Sequence, residues 1–256
     1  MIRRRNMTEL LYSQDFDVER CQATVIDITK LDDGNVDVQL DKTCFYPRGG
    51  GQDWDTGTIT AGEVVLLVAS VRLDEEGNVH HIGTYKNGAL SAGDTVDGIV
   101  DSKRRDINTR LHSAGHVLDM AVDSLGLEWT ATKGQHFPDL SAIEYSGEWN
   151  PEEAENLKAT IENTANQCIK KGSTNTLRFV SKEEMKSICK HVPQNIPENK
   201  PSRVVMYGET FGIPCGGTHL KNIKDVGSVT ITKLKSKKGV IRLSYSIDGI
   251  SQHSTY

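Results

Sequence analysis

The stretch Ile107-Asn-Thr-Arg-Leu-His-Ser-Ala-Gly-His-Val-Leu-Asp-Met-Ala-Val-Asp-Ser-Leu125 predicts the main helix of the chain. Its apolar residues recur at steps of three and four, at Ile107, Leu111, Ala114, Leu118, Ala121, Val122 and Leu125. This period indicates a helix of about 24 residues that ends before Gly126. Side chains four apart lie on one face of a helix, so His112 and His116 are expected to project side by side. They can bind one metal ion together, although a pair of partly buried structural histidines shows the same pattern.

A second pair with the same spacing lies in Pro214-Cys-Gly-Gly-Thr-His-Leu220. Gly216 and Gly217 allow this loop to fold Cys215 and His219 inward together. Two such pairs, made only of histidine and cysteine, are typical of a tetrahedral site for one zinc ion. Four protein ligands are usual for structural zinc, so the pattern leaves open whether the metal takes part in chemistry, positions a substrate or stabilises the fold.

The remaining pattern predicts an α+β protein. Short β-type runs broken by turn residues occupy the chain from Cys21 to about Asp101 and indicate a small β-barrel or meander. Alternating apolar residues return between Val229 and Ile247. We therefore expect a β-barrel domain in residues 1–100 and an α+β domain with the zinc site in residues 101–256.

Two further helices are marked by their ends. Asn150 at the N-cap, followed by Pro151, signals a helix that stops near Gly172. Ser181 with Glu184 signals a third, short helix.

The composition is that of a globular protein, with 256 residues of which 36% are hydrophobic and 25% charged. No apolar run approaches the roughly 18 residues that suggest a membrane span, and the first residues lack the apolar core of a signal peptide. We therefore expect a cytoplasmic protein without a membrane partner. Five cysteines, an odd number without a secretory signal, argue against a disulfide scaffold.

The formal net charge of -5 gives no general reason to expect a nucleic-acid partner, so the distribution of basic residues matters more. The segment from Val226 to Ser246 contains no acidic residue and five basic ones: Lys233, Lys235, Lys237, Lys238 and Arg242. We expect a positive face there, and the alternative is a solvated hairpin edge protected by lysines. A second candidate patch lies on the predicted helix, at Lys103, Arg104, Arg105 and Arg110.

The two ligand pairs, in this order, resemble those of the editing domain of alanyl-tRNA synthetase and of its freestanding relatives, the AlaX trans-editing proteins. The stretch Phe45-Tyr-Pro-Arg-Gly-Gly-Gly-Gln-Asp-Trp-Asp-Thr-Gly57 is similar to the FYxxxGGQxxD signature of the β-barrel domain that precedes the editing domain in that family. The resemblance covers nearly the whole chain and implies the medium-length standalone form. It also implies that the zinc-containing half has the fold of the second additional domain of threonyl- and alanyl-tRNA synthetases.

The resemblance implies a zinc-dependent aminoacyl-tRNA deacylase that removes serine or glycine from the tRNA for alanine. It makes Thr132 an active-site residue whose hydroxyl group reads a misattached serine, although an ordinary strand residue gives the same signal. It makes the basic residues between Val226 and Ser246 candidates for tRNA contact. No general base is identified. The resemblance assigns one zinc ion to His112, His116, Cys215 and His219.

The glycine-rich motif is not a phosphate loop, because GxxxxGK is absent and no lysine follows Gly49, Gly50 and Gly51. We expect these glycines to form an interdomain loop that allows close backbone approach to the neighbouring domain. Gln52 and Asp55 are expected to fix the loop by hydrogen bonds.

Two other functions remain open at this point. A zinc-stabilised RNA-binding module without hydrolytic activity has the same four ligands. An enzyme that edits seryl-tRNA for threonine shares the HxxxH and CxxxH arrangement, although the glycine-rich motif favours the alanyl system. Ser113 replaces the general base of the HExxH helix, which disfavours a peptidase.

Overall fold

A computed structural model of the chain describes residues 7–148, 150–194, 196–198 and 201–250. Two compact units are present: the described residues up to Gly49 with Asp53–Asp106, and Gly50–Gln52 with the described residues from Ile107 onward. That the chain folds as two domains divided between residues 100 and 101 stays a prediction. In the described ranges, no helix has both the length and the apolar character needed to cross a bilayer.

The first unit contains a closed six-stranded barrel, which confirms the predicted small β-barrel. Neighbouring strands of the barrel are antiparallel and follow the order β2-β3-β7-β6-β5-β8. A short parallel pair joins β1 to β4. The strands are β1 (Glu9–Leu10), β2 (Arg20–Lys30), β3 (Val36–Leu40), β4 (Lys42–Thr43), β5 (Gly57–Ala61), β6 (Val64–Leu73), β7 (Val79–Asn87) and β8 (Thr95–Val100).

The inward-facing side chains of these strands form the core of the barrel. Val38, Leu40, Ile59 and Leu66 are almost completely buried, and burying one such side chain stabilises the fold by about 1.5–3 kcal/mol. The period of two along each strand places these side chains on the inner face.

A buried ion pair lies in the same unit. Both Nε and Nη2 of Arg105 donate to the Asp55 carboxylate, and Nη2 also donates to the Cys44 carbonyl at 2.7 Å. Asp55 in turn accepts the Tyr46 N–H at 2.6 Å, so it fixes the start of the glycine-rich motif as expected. Arg104 is paired with Asp53 at 2.6 Å. The prediction of a second basic patch is therefore wrong for Arg104 and Arg105. Arg105 is buried, and both guanidinium groups are paired with carboxylates.

The described part of the second unit contains two sheets and three α-helices, the first of which begins in the first unit. The four-stranded sheet has the order β14-β15-β10-β9 and the three-stranded sheet has the order β11-β12-β13. Helix α2 packs against β14. The strands are β9 (Thr130–Phe137), β10 (Leu140–Ser146), β11 (Asn175–Val180), β12 (Ser202–Tyr207), β13 (Phe211–Pro214), β14 (Val229–Lys237) and β15 (Val240–Ile247). The helices are α1 (Ser102–Ser124), α2 (Ala154–Lys171) and α3 (Lys182–Ile188).

The helix ends agree with their sequence signals. Helix α1 has 23 residues, which confirms the helix predicted from the apolar period. The Asn150 side chain accepts the Glu152 N–H at 3.1 Å, although the first turn is a 3-10 helix, so α2 itself begins three residues later than Pro151. Gly172, with φ +74°, ends α2, and the Ser181 hydroxyl accepts the Glu184 N–H at the start of α3.

Candidate metal centre

Two short segments bring four ligand side chains together. His112 and His116 lie one turn apart on α1, and Cys215 and His219 lie in the loop after β13. Their ligand atoms all lie within 4.8 Å of one another, and Cys215 Sγ is 3.4 Å from His112 Nε2 and 3.3 Å from His219 Nε2. Usual Zn–N and Zn–S bond lengths place neighbouring ligand atoms about 3.5 Å apart in a tetrahedral site. The two Cys215 spacings match such a site, so the predicted ligands lie close enough together to bind one metal ion.

The protonation states of these groups also suit a metal ion. Burial lowers the pKa of His112 and His219 well below the usual value and that of His116 to about 3, so all three rings are neutral at pH 7. Neutral imidazole is the form that binds metals. Burial raises the pKa of the Cys215 thiol, and a bound metal ion displaces that proton. His116 Nδ1 is buried and has no hydrogen-bond partner in the described part of the chain.

Gln52, from the glycine-rich motif, sets the tautomer of one ligand. Its Oε1 atom accepts the backbone N–H of Thr218 at 3.0 Å and lies 2.7 Å from His112 Nδ1. Because the Thr218 N–H can only donate, this atom of Gln52 is the oxygen, and His112 Nδ1 carries the proton. The lone pair of His112 is then on Nε2, the nitrogen that faces Cys215. Gln52 therefore orients His112 for metal binding.

Tyr207 has the corresponding position at the other end of the centre. Its hydroxyl group lies 3.0 Å from His219 Nδ1, which leaves His219 Nε2 facing Cys215. Ser113 accepts the Leu220 N–H at 3.0 Å, so the residue between the two helix ligands holds the loop that carries the other two. Supporting contacts of this kind usually change metal affinity when they are removed.

Arg203 on β12 holds the loop that carries Cys215 and His219 by hydrogen bonds to its backbone. Its Nη1 atom donates to the carbonyl oxygens of Cys215 at 2.8 Å and Gly217 at 2.7 Å. Its positive charge also favours the thiolate and opposes the effect of burial on the Cys215 pKa. No feature of the sequence alone connects Arg203 with the loop.

Close packing explains one glycine in each ligand motif. A Cβ atom on Gly115 would lie 2.4 Å from His136 Cε1, and one on Gly217 would lie 2.1 Å from His112 Cε1. Neither distance is compatible with a side chain. Both glycines are therefore required because an imidazole ring occupies the space beside them.

A cavity of about 290 Å³ opens beside the four ligands. His112, His116 and Cys215 form part of its wall, and Thr132 and His136 lie on the same wall. Thr132 is the extra residue of a β-bulge, because Ala131 pairs with Tyr145 and Lys133 pairs with Glu144 on the neighbouring strand. A bulge redirects the side chain that it carries, and here that side chain is exposed on the cavity wall.

His136 is the second residue of β9 that reaches the centre. Its ring stacks on His112 with centroids 4.6 Å apart, and its Nδ1 lies 2.6 Å from the Tyr245 hydroxyl. That hydroxyl donates its proton to the Leu111 carbonyl at 2.9 Å, so it accepts the His136 Nδ1–H and leaves the lone pair on Nε2. Burial lowers the pKa of His136 to about 4, which keeps the ring neutral.

Comparison with known proteins gives a consistent result for both units. The profile of the family described as "tRNA synthetases class II (A)" matches residues 10–104, and that of the "Threonyl and Alanyl tRNA synthetase second additional domain" matches residues 202–244. The chain is 34% identical to alanyl-tRNA editing protein AlaX-M of Saccharolobus solfataricus, over 94% of this chain and 99% of the relative. The chain belongs to the AlaX family of alanyl-tRNA editing proteins.

An AlaX-L relative and a synthetase are longer than this chain. It is 29% identical to AlaX-L of Pyrococcus horikoshii over 94% of this chain and 58% of that relative. It is 30% identical to the alanine–tRNA ligase of Clostridioides difficile over 96% of this chain and 28% of that relative. The chain therefore matches the AlaX-M relative over nearly its full length and only part of the other two.

The glycine-rich motif of this AlaX protein contributes directly to the metal centre. Gly50–Gln52 belongs to the second unit, whereas Gly49 belongs to the first. Gly51 has φ +78°, and its carbonyl accepts the His136 N–H at 2.8 Å. A Cβ atom on Gly51 would lie 2.3 Å from the Gly134 carbonyl oxygen. The motif thus positions Gln52 and His136, while its role as an interdomain loop stays a prediction.

The predicted basic residues of this AlaX protein lie around one groove. A groove of about 950 Å³ is lined by five basic and two acidic residues, and we call it the basic groove: Lys233, Lys235, Lys237, Lys238, Arg242, Asp139 and Glu144. Its lysines are exposed and form no ion pair with any described acidic residue. Arg242 differs, because it is paired with Glu144 at 2.5 Å and donates to Gln135. The lysines are therefore the available cations of the groove.

Proposed function

We propose that this AlaX protein is a cytoplasmic, zinc-dependent aminoacyl-tRNA deacylase that removes serine or glycine from mischarged tRNA for alanine in trans. The observation that carries the proposal is the His112, His116, Cys215 and His219 cluster, of which the first three line a small cavity together with Thr132. The names of the AlaX relatives, which are alanyl-tRNA editing proteins, support the same reaction.

The size of the cavity suits a small aminoacyl group. Its volume is about 290 Å³. A synthetase pocket built for alanine cannot exclude glycine by size and rejects the added hydroxyl of serine only weakly, since such differences contribute about 1–3 kcal/mol. A second, hydrolytic site therefore corrects the product.

Thr132 provides a hydrogen-bond acceptor for a seryl substrate. Its own hydroxyl proton is donated to the Glu144 carbonyl at 3.1 Å, so the oxygen keeps lone pairs that can accept a hydrogen bond. A seryl hydroxyl can donate to this oxygen, whereas the methyl group of alanine cannot. Recognition by Thr132 thus separates serine from alanine, and glycine, which has no side chain, does not use it.

His136 on the cavity wall, and two residues that contact the ligands, position the ester and the attacking water molecule. When bound, a zinc ion supplies Lewis-acid polarisation of an ester carbonyl or a water molecule. Gln52 and Tyr207 orient its histidine ligands. His136 holds a neutral ring on the cavity wall, where its Nε2 lone pair can accept a hydrogen bond from a water molecule and orient it toward the ester. The ester of an aminoacyl-tRNA is already reactive, so positioning is the main requirement.

The basic groove is proposed to bind the phosphate backbone of the tRNA. Three of its lysines, Lys235, Lys237 and Lys238, are exposed on β14 and in the turn that follows. Each phosphate contact adds to affinity and to its salt dependence. We call the protein with all three lysines changed to alanine the lysine variant.

A deacylation assay separates this proposal from the two alternatives. The metal-loaded protein is mixed with seryl-, glycyl- and alanyl-tRNA for alanine and with seryl-tRNA for threonine, and ester hydrolysis is followed against protein-free controls. We expect rapid hydrolysis of seryl- or glycyl-tRNA for alanine and little of the others. Binding of tRNA without hydrolysis would instead support a zinc-stabilised RNA-binding module, and preference for the threonine tRNA would support the other editing enzyme.

A further inference from the structure

The cavity beside the metal centre contains a carboxylate without a cationic partner. Asp119 lies on α1 three residues after His116, so it projects from nearly the same helix face as the two histidine ligands. Of the described residues that line the cavity, it is the only one with a carboxyl group. Its side chain is partly exposed to this space.

One contact holds this carboxyl group in place. The hydroxyl group of Tyr145, itself buried on β10, donates to Asp119 Oδ1 at 2.7 Å. In the described part of the chain no lysine or arginine pairs with Asp119, and Lys133, which lines the same cavity, forms no ion pair with it. Burial raises the pKa of Asp119 to about 7, as expected for a carboxylate that lacks a positive neighbour.

Asp123, one turn further along the same helix, shows the contrast. Its carboxylate is paired with Lys190, and it lines a second cavity of about 210 Å³, which Asp119 also borders, but not the metal-lined one. Of these two acidic residues, Asp123 has a cationic partner, and only Asp119 also borders the cavity beside the ligands.

Every aminoacyl ester with a free amino group carries a small cation, the α-ammonium group, close to the reacting carbonyl. The free α-amino group is one bond from the carbon that bears the side chain and two from the ester carbonyl. If the carbonyl lies at the metal ligands and the side chain at Thr132, the third substituent must face another wall of the cavity. We propose that Asp119 binds the α-ammonium group of the aminoacyl ester, an assignment that rests on the proposed function.

With this assignment, the site recognises the α-ammonium group that all aminoacyl esters share. Ammonium binding gives the partly buried Asp119 carboxylate the cation that it lacks, and a charge-assisted hydrogen bond of this kind is stronger than a neutral one. Asp119 then fixes the substrate by its amino group, and Thr132 distinguishes the side chains. Esters whose α-amino group is replaced by a neutral group should bind poorly.

The test uses two substrates that differ only at this group. Seryl-tRNA for alanine is compared with the same tRNA esterified with the α-hydroxy analogue of serine, and protein-free hydrolysis rates are subtracted. The parent protein should prefer the seryl ester. In Asp119→Asn, which can still accept the Tyr145 hydrogen bond, kcat/KM for the seryl ester should fall by about 10- to 100-fold. The rate for the hydroxy ester should change little, so the preference should be lost.

Controls separate this role from a structural one. Asp123→Asn should retain both rates of the parent protein, and Asp119→Asn should retain its zinc content and unfolding midpoint. Binding of 3′-seryl-amino-3′-deoxyadenosine, a non-hydrolysable amide, should weaken in Asp119→Asn and not in Asp123→Asn. An equal loss for both esters, or an unchanged preference, would overturn the assignment of Asp119 alone. Absence of hydrolysis of either ester by the parent protein would contradict the proposed function itself and this assignment with it.

Discussion

Replacing Gln52 by methionine should weaken zinc binding without touching a ligand. The methionine side chain has a similar volume but accepts neither the His112 Nδ1–H nor the Thr218 N–H. Each buried N–H group left without a partner costs about 1–3 kcal/mol, so the free energy of unfolding should fall by about 2–6 kcal/mol. Removal of a contact that orients a ligand usually lowers metal affinity by about 10- to 100-fold.

The zinc Kd of Gln52→Met is measured by competition with a chromogenic chelator, and folding is checked by circular dichroism and urea unfolding. Gln52→Glu provides the opposite test, because its carboxylate still accepts both N–H groups and should retain or raise the affinity. Gln135→Met is the matched control, since Gln135 contacts only Arg242 in the basic groove among its described side-chain partners. A folded Gln52→Met protein whose Kd lies within about threefold of the parent value would refute the proposed role of Gln52.

Three further predictions concern selectivity, metal content and tRNA binding. Thr132→Val removes one acceptor, which is about 1 kcal/mol or about fivefold in rate, so the ratio of seryl to glycyl hydrolysis should fall; an unchanged ratio would place serine recognition elsewhere. The purified protein should contain about one zinc per chain by elemental analysis. The Cys215→Ala/His219→Ala double variant should lose that zinc, and retention would contradict the ligand assignment. The lysine variant should bind tRNA more weakly, with a salt slope shallower by about 1 per lost phosphate contact, and the parent slope would make these lysines a solvated edge.

The sequence predicted the parts of the fold that have a strong local signal. The apolar period from Ile107 to Leu125 predicted α1, and the capping residues Asn150 and Ser181 marked the starts of two more helices. A small β-barrel was predicted, but two of its strands were not. Strands β5 and β8 are short and contain glycine, so they lack a clear β-type pattern. Strands β9 to β13 were not predicted, because their residues lack the regular apolar alternation that marked β14 and β15, although β9 pairs with its sequence neighbour β10 and β12 with its neighbour β13.

The candidate site divides in the same way. The four ligands have regular spacing within two short motifs, so they could be found as pairs and joined by their chemistry. Gln52 was singled out through the glycine-rich motif, but its contact with His112 spans 60 positions and needs the fold. The same holds for Arg203 and Tyr207 on β12. The spacing of Asp119, three residues after His116, places it on the ligand face of the helix. Only the structure shows that it borders the cavity without a cationic partner.

His136 shows a limit of a different kind. Beside Phe137-Pro138 it has the local pattern of a loop histidine, and no motif connects it with His112. Its place is fixed by the Gly51 carbonyl, by the Tyr245 hydroxyl and by the space left at Gly115. These contacts depend on the packing of three separate segments, which no local pattern describes.

The most direct test of the central claim is the ratio of two rates measured with the same protein. Seryl-tRNA and alanyl-tRNA, both made on the tRNA for alanine, are incubated with the zinc-loaded chain, and loss of the ester is followed under single-turnover conditions. We predict that the seryl ester is hydrolysed far faster than its protein-free rate while the alanyl ester is left nearly unchanged. Equal rates for the two esters, or no acceleration of either seryl or glycyl hydrolysis, would contradict an editing function.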